Sequence, residues 1–130
     1  MVKSAIITAA GSGRRFGEPK QFKKLHGKPL YQYSLDIFIQ SRLFDEIILV
    51  IPKSNQQKVQ KEIKMKYGSQ VGLVSGGPHR QDSVKNAIQN SNPNIDLVVI
   101  HDAARPFITT RLIEKCISAC ETSDGAIIAL

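Results

Sequence analysis

Ala9-Ala10-Gly11-Ser12-Gly13-Arg14-Arg15-Phe16-Gly17-Glu18-Pro19-Lys20-Gln21 is the stretch around which this 130-residue chain is organised. A short apolar run, Ala5-Ile6-Ile7, leads into it and reads as a buried strand. The stretch itself holds three glycines, two adjacent arginines and a lysine behind a proline. Glycine lets a backbone approach a ligand closely and turn its N–H groups toward an anion. Arginine and lysine add mobile positive charge beside those groups. A strand feeding such a loop suits a nucleoside triphosphate.

Two common phosphate loops do not fit. The dinucleotide fingerprint needs G-x-G-x-x-G running directly into a helix. Here Phe16 stands where the third glycine belongs, Gly17 comes one place late, and Pro19 interrupts any helix starting there. The second apolar run ends Val50-Ile51-Pro52-Lys53 and supplies no carboxylate for a ribose hydroxyl. That sets a dinucleotide oxidoreductase aside. The P-loop needs four residues between its glycines, whereas Gly13 and Gly17 have three, and Glu18 follows.

Outward from the loop, helical and strand patterns alternate. Leu30 to Ser41 reads as a buried helix after Pro29, with Leu30, Tyr33, Ile37 and Phe38 as its apolar positions. Glu46 to Ile51 is a second buried strand. Ser54 to Gln57 has capping-box spacing and opens a polar helix that stops at Gly68. Its stripe is Val59, Ile63 and Tyr67, and five lysines from Lys53 to Lys66 mostly cover its wet faces. Val71 to Ser75 is a third strand, and a short helix from about Arg80 to Asn90 turns Val84, Ala87 and Ile88 inward. Leu97 to Ile100 is a fourth buried strand, followed by a loop from His101 to Phe107. Thr109 or Thr110 caps a helix through Leu112, Ile113, Cys116 and Ile117, and Ala126 to Leu130 is a fifth apolar run.

Such alternation predicts one α/β domain, Rossmann-like, with a mostly parallel sheet and helices on both faces. Ligands of such sheets sit at the carboxyl ends of the strands. Three chemistry-bearing loops fall there, after the first, third and fourth strands. The chain stops inside the fifth apolar run, so it reads as the N-terminal portion of a longer domain.

Lysine and arginine number 18 against 11 acidic residues, a net charge of +7, which favours an anionic partner. The lysines are scattered and aromatic residues are sparse, so a phosphate-rich small substrate fits better than nucleic acid. No apolar run reaches membrane-span length and no signal peptide opens the chain, so a cytoplasmic location is expected. Cys116 and Cys120 lie four apart on one helix face and read as reduced core thiols. No cluster of His, Cys and carboxylates has zinc spacing. His26 reads as a surface residue, and His79 as a solvated turn histidine.

Gly76-Gly77-Pro78-His79-Arg80-Gln81-Asp82-Ser83-Val84 is the second motif. Paired glycines before a helix place N–H groups close to a ligand, and the Ser83 hydroxyl in the first turn reaches the same ligand. The plainer alternative is a tight turn with Asp82 and Ser83 as helix-start residues. His101-Asp102-Ala103-Ala104-Arg105-Pro106 is the third. Asp102, directly after an apolar strand, suits a magnesium ion bridging phosphates, and Arg105 suits a phosphate clamp. An Asp102–Arg105 pair bracing the loop is the alternative.

The first stretch resembles the loop of sugar-nucleotide pyrophosphorylase-type nucleotidyltransferases, Ala-Ala-Gly-x-Gly-x-Arg followed by Pro-Lys. With Pro19-Lys20-Gln21, Gly-Gly-x-x-Arg-x-x-Ser-Val and the hexapeptide at His101, the chain resembles the 2-C-methyl-D-erythritol 4-phosphate cytidylyltransferases over essentially its whole length. The resemblance implies CMP transfer from CTP to a sugar-alcohol phosphate in non-mevalonate isoprenoid biosynthesis, with Mg²⁺ as cofactor. It implies Arg15 and Lys20 as catalytic cations; spacing by itself leaves Arg14 and Arg15 equal. Ala9, Ala10, Gly11, Ser12, Gly13, Gly76, Gly77, Arg80 and Ser83 would bind the nucleotide, Arg105 the substrate and Asp102 the metal. A homodimeric full-length protein is implied, with neither nucleic acid nor membrane as partner. A ribitol-5-phosphate cytidylyltransferase, and the N-terminal part of a fusion with the cyclodiphosphate synthase, are similar across the same motifs. A basic nucleic-acid-binding module is the rival from outside the enzymes.

Overall fold

The computed structural model describes residues 1–10 and 20–120, with only the backbone of Lys20. Four parallel strands form the sheet: β1 (Lys3–Thr8), β4 (Glu46–Ile51), β5 (Gly72–Ser75) and β6 (Leu97–Asp102), in the spatial order β5-β4-β1-β6. A small antiparallel hairpin, β2 (Lys24–Leu25) with β3 (Lys28–Pro29), precedes the first helix. Helices α1 (Leu30–Ser41), α2 (Gln56–Tyr67), α3 (Arg80–Gln89) and α4 (Thr110–Cys120) complete the fold. The parallel α/β reading therefore holds over the described residues. The fifth apolar run lies outside them.

The sheet is apolar on both faces because each face carries helices. Ala5, Ile7, Leu49, Ile51 and Val99 point to one side, where Tyr31, Leu35 and Phe38 of α1, Val59 and Ile63 of α2, and Ile113 and Ile117 of α4 pack on them. Ile6, Ile48 and Val50 point to the other, where Ala87 of α3 meets them. The period-two alternation explains why a run such as Ile47-Ile48-Leu49-Val50-Ile51 is buried throughout.

Several local expectations are corrected. Strand β6 runs on through His101 and Asp102, so the loop starts two residues later than expected. Ile100 is 44 % exposed, on the face where α3 reaches β1, β4 and β5. Buried residues of α1 follow Tyr31, Ser34, Leu35 and Phe38, while Tyr33 and Ile37 are half-buried. In α3 the buried stripe is Ser83 and Ala87, and Ile88 is 49 % exposed. Two small residues let that helix approach the sheet, which rotates Ile88 outward. The capping box at Ser54 does not form. A 3-10 turn at Lys53–Asn55 precedes α2, and the Ser54 hydroxyl donates to Asn55 Oδ1 at 3.3 Å.

Other local readings are met. Gly68 stops α2 with φ of +62°, a conformation that favours glycine. Thr109 caps α4, its Oγ1 accepting the Leu112 N–H at 3.2 Å. The hairpin went unread because His26, φ +53°, stands where asparagine usually precedes glycine in such turns. His26 is exposed, as expected. Cys116 and Cys120 are thiols, not joined in a disulfide, and are only half-buried; burial and the neighbouring thiol raise the pKa of Cys116.

Candidate functional site

The carboxyl edge of the sheet gathers the motif loops. In β1 and β6 the last pair in register is Thr8 with Asp102. Beyond it, the Ala103 N–H donates to the Thr8 carbonyl at 2.9 Å, and the Ala9 N–H donates to the Val50 carbonyl at 2.6 Å. The glycine-rich stretch therefore departs from between the ends of β4 and β6. Crossovers from β1 and into β6 lie on opposite faces, and such a reversal opens a crevice at the strand ends.

Asp102 sits at that crevice, half-buried. Its Oδ1 accepts the Ala104 N–H at 2.9 Å, and its main-chain oxygen accepts the Arg105 N–H at 3.1 Å. Asp102 and Arg105 form no ion pair: among the described residues the salt bridges all run to Asp36, from Lys28 and Lys66. The guanidinium of Arg105 is exposed. One carboxylate with a single short hydrogen bond, at a strand end, suits a hard cation that takes its remaining ligands from water and substrate phosphates. No group of three or more His, Cys, Asp or Glu gathers among the described residues, so an all-protein metal cage is not what this corner resembles.

His101 holds the loop from behind. Its Nε2–H donates to the Arg105 carbonyl at 2.9 Å, and its ring lies 5.4 Å from that of Phe38. Burial lowers its pKa and outweighs the opposing effect of that hydrogen bond, so the imidazole is held toward its neutral form. From α1, the Ser34 hydroxyl donates to the carbonyls of Ala103 at 3.4 Å and Arg105 at 3.5 Å. Ser34 was not read from the sequence. A small polar residue inside a buried helical stripe was its only signal.

The corner at α3 is fastened within the fold. The Gly76 N–H donates to the Ile51 carbonyl at 2.7 Å, and the Gly77 N–H to Ser83 Oγ at 3.2 Å. Ser83 is 3 % exposed and also donates to the His79 carbonyl at 3.4 Å. Both glycine amides and the serine hydroxyl are thus engaged within the fold, as the tight-turn reading has it. The Asp82 carboxylate accepts the His79 N–H at 3.2 Å and closes the helix start. What the glycines supply is closeness. A Cβ on Gly76 would lie 2.4 Å from the Ala10 Cβ and 2.8 Å from Ser83 Oγ, and one on Gly77 2.4 Å from the Asp82 Cβ. Gly76 therefore lies against both Ala10 and Ser83, joining the end of β1 to the start of α3. Arg80 and His79 are exposed at that start.

Ala9 is buried, and both its main-chain groups are engaged: the N–H as above, the carbonyl by Gln21 Nε2 at 2.7 Å. Gly11, Ser12, Gly13, Arg14 and Arg15 lie outside the described residues, as does the side chain of Lys20. The Lys20 backbone opens a 3-10 turn, Lys20–Phe22, whose Phe22 ring stands edge-on to Tyr31 at 5.8 Å. Tyr31 OH in turn donates to Glu62 Oε2 at 2.6 Å, and burial followed by that bond raises its pKa.

Comparison with known proteins gives the same picture from outside. A family model for 2-C-methyl-D-erythritol 4-phosphate cytidylyltransferase matches residues 3–130. A protein of that name from Clostridium beijerinckii is 42 % identical over 117 residues, covering 88 % of this chain and 51 % of its own. The crystal structure of 4-diphosphocytidyl-2C-methyl-D-erythritol synthase from Anaerococcus prevotii superposes with a TM-score of 0.80 at 34 % identity, over 92 % of this chain and 51 % of that one. The Francisella tularensis 2-C-methyl-D-erythritol 4-phosphate cytidylyltransferase gives 0.75 at 31 %, over 95 % and 54 %. The chain spans about half the length of the curated relatives it matches.

Proposed function

Because this chain belongs to the 2-C-methyl-D-erythritol 4-phosphate cytidylyltransferase family, we propose that it forms the CTP-binding part of an enzyme of that activity. The reaction joins a phosphate oxygen of methylerythritol phosphate to the α-phosphorus of CTP, breaks the bond to the β-phosphate oxygen, and releases pyrophosphate. The attacking phosphate is already anionic at neutral pH and needs no general base. Its difficulty is electrostatic, one anion approaching another, so positive charge held around the α-phosphate is the largest available help. Arg15 and Lys20 are the proposed cations there. Arg105, exposed beside Asp102, is the proposed clamp on the acceptor phosphate.

Asp102 would hold Mg²⁺, which when bound neutralises and orients the triphosphate. Ala10, Gly76, Gly77, Arg80 and Ser83 shape the wall that receives the nucleoside, with Ala9, Gly11, Ser12 and Gly13 forming its phosphate side. The observation that carries this reading is the shared rim: Thr8 opposite Asp102, and Gly76 against both Ala10 and Ser83. Among the described residues no helix is long and apolar enough to cross a membrane, and the proposed compartment is the cytoplasm. Relatives named for methylerythritol phosphate favour that acceptor over ribitol phosphate.

Two measurements test the proposal. CTP with Mg²⁺ should raise the melting temperature of this chain more than ATP or GTP does. Pyrophosphate should appear from CTP with methylerythritol phosphate, and not with ribitol phosphate, when this segment stands in a full-length relative. Equal protection by all triphosphates would overturn the nucleotide assignment.

A further inference from the structure

We propose that Gln21 is a positioning residue for nucleotide binding, a strut that sets the Lys20–Phe22 turn against the end of β1; the inference rests on the CTP reading above. Gln21 is 5 % exposed, although glutamine is ordinarily a surface residue. Its Nε2 donates to the Ala9 carbonyl at 2.7 Å across twelve residues of sequence. Ala10 follows directly, and Ala10 is the residue that Gly76 lies against. On the far side of Gln21, Phe22 lies edge-on to Tyr31, and the Leu30 N–H donates to the Lys23 carbonyl at 3.0 Å. Both flanks of the turn are thus fastened, one to β1 through a side-chain amide and one to α1 through a ring and a main-chain bond. Lys20 is joined directly to the strut residue, so the strut fixes where its backbone stands relative to the strand end.

The chemistry requires a donor here. The Ala9 carbonyl is buried and aimed at the amide; an isosteric side chain lacking the N–H leaves it without that partner. A carboxylate would face the carbonyl with like partial charge, and only its protonated form could donate. The pair Gln21→Met and Gln21→Glu therefore separates filling from bonding. Both variants keep every other titrating group of the protein, so the ratio between them isolates the proton at position 21.

The test uses the chain itself, with MgCTP as the probe and titration calorimetry as the readout. At pH 7.5 both variants should bind MgCTP on the order of tenfold more weakly than wild type, the fold-change that one lost hydrogen bond of ordinary strength represents. At pH 5.5 Gln21→Glu should recover toward wild type while Gln21→Met stays weak. Melting temperatures without nucleotide are read in parallel. A loss of affinity that merely follows the melting temperature, with no recovery of the Glu variant relative to Met, would sink the strut. So would unchanged affinity in both. If wild type binds no MgCTP, the functional reading fails, and the strut is judged by hydrogen exchange at the Leu30 amide. That amide should exchange at least several-fold faster in Gln21→Met while the amides of β4 keep their protection; an unchanged Leu30 overturns the proposal.

Discussion

The two motif corners on the rim are built in opposite ways. At the start of α3, Gly76, Gly77 and Ser83 turn their polar groups inward, to Ile51, Ser83 and His79. At the end of β6 the loop is braced from behind by His101 and Ser34, and the Asp102 carboxylate and Arg105 guanidinium form no pair with each other. One corner is a fitted wall and the other is a charged edge. The lesson is that glycines and a serine in a ligand motif act by shape as much as by hydrogen bonds. The proposed chemistry falls at the corner where, among the described residues, Asp102 and Arg105 form no ion pair.

Substitutions can break this contrast. The largest effect is expected for Asp102→Asn, which keeps the Ala104 N–H acceptor and removes the charge. Mg²⁺-dependent protection by CTP should fall on the order of 100-fold in apparent affinity, with little change in melting temperature. A drop in stability without loss of Mg²⁺ dependence would make Asp102 part of the wall instead. Next comes Gly76→Ala. Its Cβ meets Ala10 and Ser83 Oγ inside 3 Å, so urea unfolding should show a loss of about 1–3 kcal/mol. An unchanged midpoint would mean that the wall yields and the fit is loose.

Ser83→Ala is the sharper test of the wall. It removes the acceptor of the Gly77 N–H and should cost about 1 kcal/mol of stability. If CTP affinity collapses while stability holds, Ser83 bonds the nucleotide and its inward hydrogen bonds give way to the ligand. The smallest effect concerns the brace. His101 has a folded pKa below the ordinary 6.5, because burial disfavours the imidazolium. As pH falls below about 6.5 the unfolded chain takes up the proton first, so the fold loses stability until the folded pKa is passed. Above that window the contribution is fully present. His101→Gln should flatten this part of the melting-temperature profile; an unchanged slope would assign it to other groups.

Much of the fold was legible. Strands β1 and β4 announce themselves as short β-branched runs, and α2 by a stripe at Val59, Ile63 and Tyr67 with lysines around it. Failures came where packing overruled pattern. Apolarity turns Ile88 inward, yet Ser83 and Ala87 decide which face of α3 lies on the sheet. Spacing makes Ser54 a cap, yet a 3-10 turn displaces the helix start to Gln56. Within the site, Asp102 was found because a carboxylate directly follows an apolar strand. Ser34 and Gln21 were not, since their partners lie far along the chain.

The sequence by itself determined the alternation of strands and helices, and hence a parallel sheet with its motif loops at the carboxyl edge. Those features depend on local periodicity and on neighbours within a turn or two. Tertiary structure alone decided the order β5-β4-β1-β6, the pairing of Thr8 with Asp102 and the contact of Gly76 with Ala10. It also decided which polar groups the fold engages for itself. The first three are bonds or contacts between residues dozens of positions apart, and a hydrogen-bonding group carries no mark of its partner until the chain has closed around it.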